Sequence, residues 1–200
     1  KYPEYSSFVG LYPMPVRHGM TAGELALMFN DLFLDTPVEL HVIPVQNWNR
    51  NLWFDQTGLP WVIPSPNMPH LETAVVYPGQ VFLEGTNVSE GRGTTRPFEL
   101  FGAPWIDGRR LTDALNGYQL SGILFREAWF TPVFSKYENE LCGGCQIHVI
   151  NRDQFKPLEC TLHIIDTIKK LYPDKFEFHS DYFDKIMGTE RVRKALVQGL

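Results

Sequence analysis

The chain has 200 residues, and its 18 Lys and Arg against 23 Asp and Glu leave a formal net charge of −5. Hydrophobic residues make up 44% and aromatics 14%, enough for a packed core, which excludes wholesale disorder. The mild acidity argues against a dedicated nucleic-acid binder, which carries a basic face or stripe, and no apolar run approaches the roughly 20 residues of a membrane-spanning helix. The length suits one domain, or one domain cut from a larger chain. A start at Lys1, without an initiator Met or a basic-then-apolar leader, and an end just after a helix-like segment read as a fragment.

Residues 22–34 are predicted to form an amphipathic helix, with Leu25, Met28, Phe29 and Leu32 at helical spacing. Thr21 is its N-cap, and Glu24 three residues on completes a capping box. Residues 38–45 alternate and are β-branched, predicting a strand that ends around Pro44. Residues 47–69 hold Trp48, Trp53, Trp61 and four prolines without periodicity, the mark of a long ordered loop. Residues 80–84 read as a short strand, followed by a Gly-rich polar stretch over 85–94. A helix over 107–116 ends at Gly117, and strands follow over 123–130 and 146–150. The longest predicted helix, 157–172, has Pro157 in its first turn and Pro173 just past its end. Short helices are predicted over 180–187 and 189–197, the second capped by Thr189. The order predicts an α/β, α+β-like fold: a mixed sheet with flanking helices and long ordered loops.

Three cysteines are too few and too odd in number for a disulfide framework. Cys142-Gly143-Gly144-Cys145 precedes a strand-like run, whereas a redox CxxC precedes a helix N-terminus. No second CxxC offers zinc ligands, so a tight Gly-Gly turn is expected there, and no metal or cofactor is called for.

Three polar stretches are candidates for chemistry. Arg17 and His18 stand just before the first helix, where a cation beside free N–H groups suits an anionic ligand; ordinary solvated capping is the alternative. Ser65 and Asn67 lie among three closely spaced prolines, and an amide fits sugar hydroxyls or an N-acetyl group, or else the segment is a rigid connector. The third stretch, residues 84–94, places Glu84, Glu90, Arg92, Asn87 and the hydroxyls of Thr86, Ser89 and Thr94 among glycines. Glycines let a backbone approach a ligand closely, and paired carboxylates suit work on a carbohydrate. Internal pairing of Glu90 with Arg92 in a turn is the alternative, and a phosphate cradle is disfavoured by the two acids.

Several of these segments occur together in one known family. Residues 12–26 (Tyr-Pro-Met-Pro-Val-Arg-His-Gly-Met-Thr-Ala-Gly-Glu-Leu-Ala), 64–69 (Pro-Ser-Pro-Asn-Met-Pro), Tyr77-Pro78-Gly79, residues 84–94 and Gly102-Ala103-Pro104-Trp105 resemble the NamZ-type exo-β-N-acetylmuramidases. The similarity runs over nearly all of the chain. It implies a two-domain protein, with residues 1–200 as the C-terminal α/β domain and a Rossmann-like N-terminal domain carrying a Gly-Pro-Glu-His-Gly motif that this chain lacks. Cys145 stands where Val is more usual in the family.

The resemblance implies an inter-domain active site that removes terminal N-acetylmuramic acid from non-reducing ends of peptidoglycan-derived glycans. The partners implied are that glycan and the N-terminal domain, and secretion or a periplasmic location is favoured. On this reading Glu84 and Glu90 are the catalytic carboxylates of this half. Arg17 or Arg92, with His18 nearby, would take the lactyl carboxylate, and Ser65, Asn67, Thr86, Asn87 and Ser89 would hold hydroxyl or N-acetyl groups. A non-catalytic cell-wall carbohydrate-binding domain is the alternative.

Overall fold

The structure, a computed structural model, describes residues 1–15 and 17–199. It divides into two units, residues 14–60 and residues 1–13 with 61–200. Val16, inside the predicted Arg17–His18 stretch, lies outside the described residues.

In the 14–60 unit, α1 (Ala22–Leu32) starts at the predicted capping box: the Glu24 N–H donates to Thr21 Oγ1 (3.1 Å) and the Thr21 N–H to Glu24 Oε2 (2.7 Å). Residues 38–45 are irregular and belong to no sheet among the described residues, so the predicted strand is not formed. Asn30 instead pins Val38, donating to its carbonyl (3.0 Å) and accepting from its N–H (2.8 Å). Arg50 donates to the Gly19 carbonyl and to Glu24 Oε1 (2.5 Å), with its guanidinium 4.8 Å from the Trp48 ring centroid. The long loop contains one 3₁₀ turn, Phe54–Thr57.

The other unit holds the core. Helix α2 (Leu71–Gln80) runs directly into a 3₁₀ turn, Val81–Gly85. The strand expected over 80–84 is therefore helical, with Phe82 and Leu83 buried. A short apolar run has the same composition in a buried helical turn as in a strand, and Pro78-Gly79 disguised the helix before it. There follow β1 (Leu100–Ala103), α3 (Gly108–Asn116), β2 (Ile123–Phe130), β3 (Cys142–Val149), α4 (Pro157–Leu171), α5 (Ser180–Met187) and α6 (Arg191–Gln198). Thr189 Oγ1 accepts from the Arg191 N–H at the start of α6 (3.2 Å).

The sheet has the order β1–β3–β2 and is antiparallel throughout, so the α/β expectation holds with an antiparallel sheet in place of a mixed one. Phe101 lies opposite Cys145 and Phe125 opposite Ile147, which puts these four on one face. Helix α3 covers that face, with Thr112 Oγ1 3.1 Å from Cys145 Sγ. Its Asn116 side chain donates to the Phe125 carbonyl and accepts from the Phe125 N–H, blunting the free edge of β2. Helix α4 buries Ile164, Ile165 and Ile168 and crosses α2 closely: a Cβ on Gly79 would lie 2.1 Å from the Pro157 carbonyl oxygen. Cys142-Gly143-Gly144-Cys145 is not a turn but the first half of the central strand β3.

Residues 86–91 run between β1 and the segment before α5. Ser89 exchanges both backbone hydrogen bonds with Gly102 (2.8 and 3.0 Å), while Asn87 N donates to Glu177 O and His179 N to Gly85 O. Lys136, in the β2–β3 loop, locks this arrangement. Its ammonium donates to the carbonyls of Leu83 (2.8 Å) and Val88 (2.9 Å) and to Glu90 Oε2 (3.0 Å), using all three N–H groups.

Two outcomes follow from this packing. Burial pushes the thiol of Cys142 up to about 11 and those of Cys145 and Cys160 to about 12. Native protein at about pH 8 should therefore resist iodoacetamide at all three cysteines and react at all three once denatured; rapid native alkylation at any of them would contradict this packing. Replacing Lys136 by Met should cost about 3–5 kcal/mol in urea unfolding, because it leaves Glu90 buried and half-paired, and a loss under about 1 kcal/mol would contradict the locking role.

Candidate functional site

The structure gathers Glu84, Glu90 and Arg92 into one cluster. Glu84 ends the 3₁₀ turn, Glu90 ends the segment paired to β1, and the bend between them returns Arg92 to both. Arg92 donates to Glu84 Oε1 from Nη2 (2.5 Å) and Nε (3.2 Å), and Nε lies 3.3 Å from Glu90 Oε1. Its guanidinium stacks 5.0 Å from the Phe98 ring centroid, and Phe98 meets Tyr77 edge-on at 4.8 Å. Phe98 is buried with φ +63°, a left-handed backbone that a bulky residue adopts only when its surroundings enforce it. The second oxygen of Glu84 accepts from the Tyr182 hydroxyl on α5 (2.9 Å).

Two carboxylates and two cations, Arg92 and Lys136, make the cluster neutral in sum. Burial alone would lower Arg92, but the hydrogen bond to Glu84 and the charges of Glu84 and Glu90 together outweigh it, and the guanidinium ends above its ordinary value. Burial holds Lys136 below the usual lysine value against the pull of Glu90. Burial, then the bond to Glu84, push Tyr182 up to about 12, so it stays a donor. The two acids differ in access: the Glu90 side chain is 3% exposed and that of Glu84 14%. Both oxygens lie within 3.3 Å of the same guanidinium nitrogen, so no sugar fits between them while Arg92 is in place. With Arg92 between them the two acids do not face each other across open space, and Glu84 is the more exposed of the two.

Other predicted contacts are committed to the fold. Thr86 is fully buried, its hydroxyl donating to Leu83 O (2.9 Å) and accepting from the Val88 N–H (3.1 Å). Ser89 is buried and accepts from the Gly91 N–H (3.2 Å). The Asn87 amide clamps the segment before α5, donating to Lys175 O (2.7 Å) and accepting from the Glu177 N–H (2.9 Å). The glycines of the bend likewise admit protein backbone: a Cβ would lie 2.5 Å from Leu100 O at Gly91 (φ +76°) and 2.5 Å from Phe134 O at Gly93 (φ +81°).

Ser65 and Asn67 lie in the turn before α2, where the Met68 N–H donates to Ser65 O (2.8 Å); among the described residues neither bonds to the cluster. Arg17 and His18 belong to the 14–60 unit, both exposed, with His18 Nδ1 accepting from the Met20 N–H (3.1 Å). Sequence reasoning missed Lys136, Tyr182 and Tyr77. A separate pocket between residues 118–123 and 154–160 shares no lining residue with the cluster. Among the described residues no group of three or more His, Cys, Asp or Glu is arranged to hold a metal.

Residues 75–200 match the family model described as exo-β-N-acetylmuramidase NamZ, C-terminal, and residues 1–72 match its N-terminal counterpart. The chain is 50% identical over 198 residues to the peptidoglycan β-N-acetylmuramidase NamZ of Bacillus subtilis strain 168, covering 98% of this chain and 48% of that protein. It also superposes on crystal structures of two DUF1343 family proteins from Bacteroides fragilis. The first has TM-score 0.91 and 33% identity, over 98% of this chain and 53% of that one; the second has 0.71 and 30%, over 98% and 52%. The chain thus spans about half the length of the relatives it matches. By the family models it contains, the chain belongs to the exo-β-N-acetylmuramidase NamZ family.

Proposed function

We propose that this chain forms one wall of the active site of a peptidoglycan-glycan hydrolase, which removes terminal N-acetylmuramic acid from non-reducing ends. The reading extends to this chain what its B. subtilis relative is named for. The observation that carries it is the carboxylate of Glu84, tied down on both oxygens by Arg92 and Tyr182 yet left partly open at the surface. A fixed, ionised carboxylate suits an oxocarbenium-like transition state, where positive charge develops at the sugar. Its orientation is set before substrate arrives, so no reorganisation is needed during reaction.

Glycoside hydrolysis ordinarily needs two carboxyl groups. Because Arg92 occupies the space between Glu84 and Glu90, the second carboxyl comes from the N-terminal region of the longer protein, facing Glu84 across the inter-domain cleft. Glu90 serves instead to hold Arg92 and Lys136. Muramic acid adds a lactyl carboxylate, which requires a cation of its own. Arg92 already serves two carboxylates, whereas Arg17 is exposed and forms no ion pair among the described residues, so Arg17 is the better receptor for that group. His18 and Asn67 remain candidates for neighbouring sugar contacts.

In the full-length protein, Glu84→Gln should lower kcat/KM on a chromogenic β-N-acetylmuramide about a hundredfold at a temperature where the variant is fully folded, as expected for loss of one preorganised electrostatic group. Wild-type-like turnover by that variant would refute the assignment. Arg17→Ala should narrow the preference for muramic acid over N-acetylglucosamine glycosides by about 2 kcal/mol, roughly thirtyfold, and an unchanged preference would remove Arg17 from the site.

A further inference from the structure

The β2–β3 loop is fastened to the Glu84–Glu90–Arg92 cluster by a backbone that is both pinned and strained. The Val133 N–H donates to the Gly93 carbonyl (2.9 Å), and the Lys136 ammonium is spent on the carbonyls of Leu83 and Val88 and on Glu90. The Tyr137 hydroxyl donates to the Asn87 carbonyl (2.7 Å) and accepts from the Trp105 indole N–H (3.1 Å). The Asn139 N–H closes the loop on the Pro132 carbonyl (2.7 Å). Ser135, Tyr137 and Asn139 all take left-handed backbone, with φ of +76°, +58° and +62°. Such conformations in so short a stretch persist only where the surrounding contacts over-determine them.

The pins bury polar groups, but the residue between them does the reverse. Phe134, between Val133 and Lys136, is 47% exposed, and among the described residues no other ring packs on its own. Leaving a large apolar ring in water gives up much of the stabilisation that its burial would supply. Its backbone presses on the bend: a Cβ on Gly93 would lie 2.5 Å from the Phe134 oxygen and 2.8 Å from its nitrogen. Gly93 follows Arg92, whose guanidinium holds Glu84. The exposed ring therefore belongs to a residue in contact with the bend that holds the more exposed of the two carboxylates. Tyr182, on the other oxygen of Glu84, is 41% exposed as well, so two elements bring accessible aromatic residues to this network.

We infer that the ring of Phe134 is a sugar platform, stacking on the C–H face of the amino sugar whose developing charge Glu84 meets. An aromatic face is electron-rich, and the axial C–H bonds of a pyranose are its positive complement, while the hydroxyls at the sugar's rim stay free for polar contacts. One apolar surface combined with a few fixed polar groups is the usual make-up of a small-molecule site. The pinned loop holds the ring in place before the sugar arrives, so little freedom is lost on binding. This inference rests on the glycan-hydrolase reading and adds to it the residue that orients the sugar ring against the carboxylate.

The test compares Phe134→Ala, Phe134→Leu and Phe134→Tyr in the full-length protein on a chromogenic β-N-acetylmuramide, at a temperature where all three are folded. A platform contacts ground state and transition state alike, so Phe134→Ala should raise KM about tenfold with kcat changed less than about threefold. Phe134→Leu keeps apolar bulk without an aromatic face and should behave like the alanine variant, whereas Phe134→Tyr should bring KM back to within about threefold of the parent. An unchanged KM in Phe134→Ala overturns the proposal. Full rescue by Phe134→Leu also overturns it, and identifies a protein surface as what covers the ring. Binding of free N-acetylmuramic acid, followed by saturation-transfer NMR, separates the two readings. Weaker binding to Phe134→Ala in a protein that cleaves no muramide would sink the hydrolase reading alone, and cleavage with KM unmoved would sink this one alone.

Discussion

Two acidic side chains enter a tight bend of this chain, and the bend exists only because two cations enter with them. Glu90 is almost wholly removed from water, where an uncompensated carboxylate is unaffordable. Arg92 meets it from within the bend, and Lys136 meets it from a loop 46 residues away. Arg92 then has one edge left for Glu84, and Tyr182 from α5 closes the other oxygen of that acid. The position of Glu84 is therefore set by four elements of the fold rather than by its own rotamer preferences.

The same network explains why a stretch that looks like a ligand cradle is mostly occupied by protein. Ser89 extends the sheet beyond β1, Asn87 staples the segment leading to α5, and Thr86 closes a turn. Gly91 and Gly93 make room for backbone carbonyls from elsewhere in the chain. What reaches the surface is one carboxylate of fixed direction, beside an arginine that is held by stacking on a strained phenylalanine. Rigid presentation of a single charged group is what a transition-state contact requires and what a merely solvated acidic loop lacks.

Local signals were legible in the sequence and distant ones were not. The Thr21–Glu24 capping box, the end of helix α3 before Gly117, β2 and the bounds of α5 all follow from neighbours a few residues apart. The turn at 81–85 escaped because three consecutive apolar residues have no period, and β1 because Gly102 and its neighbours carry little strand propensity. The β3 glycines suggested a turn, but they are where β1 and α3 approach the strand closely. Of the cluster, Glu84, Glu90 and Arg92 stood out as polar residues leaving an apolar run. Lys136 and Tyr182 gave no signal, being 46 and 98 residues from the acids they bind, and only the three-dimensional path brings them there. The run 38–45 is a different case: its composition is strand-like, yet among the described residues it pairs with no other strand.

The cooperative nature of the charge cluster is its defining property, and a double-mutant cycle reads it directly. Arg92→Met, Lys136→Met and the double variant should be compared with the parent in urea unfolding. Because both cations serve the same buried Glu90, their effects should depart from additivity by at least about 1 kcal/mol. Additive losses, within about 0.5 kcal/mol, would show that the two cations act separately and that Glu84 is not held by a single coupled network.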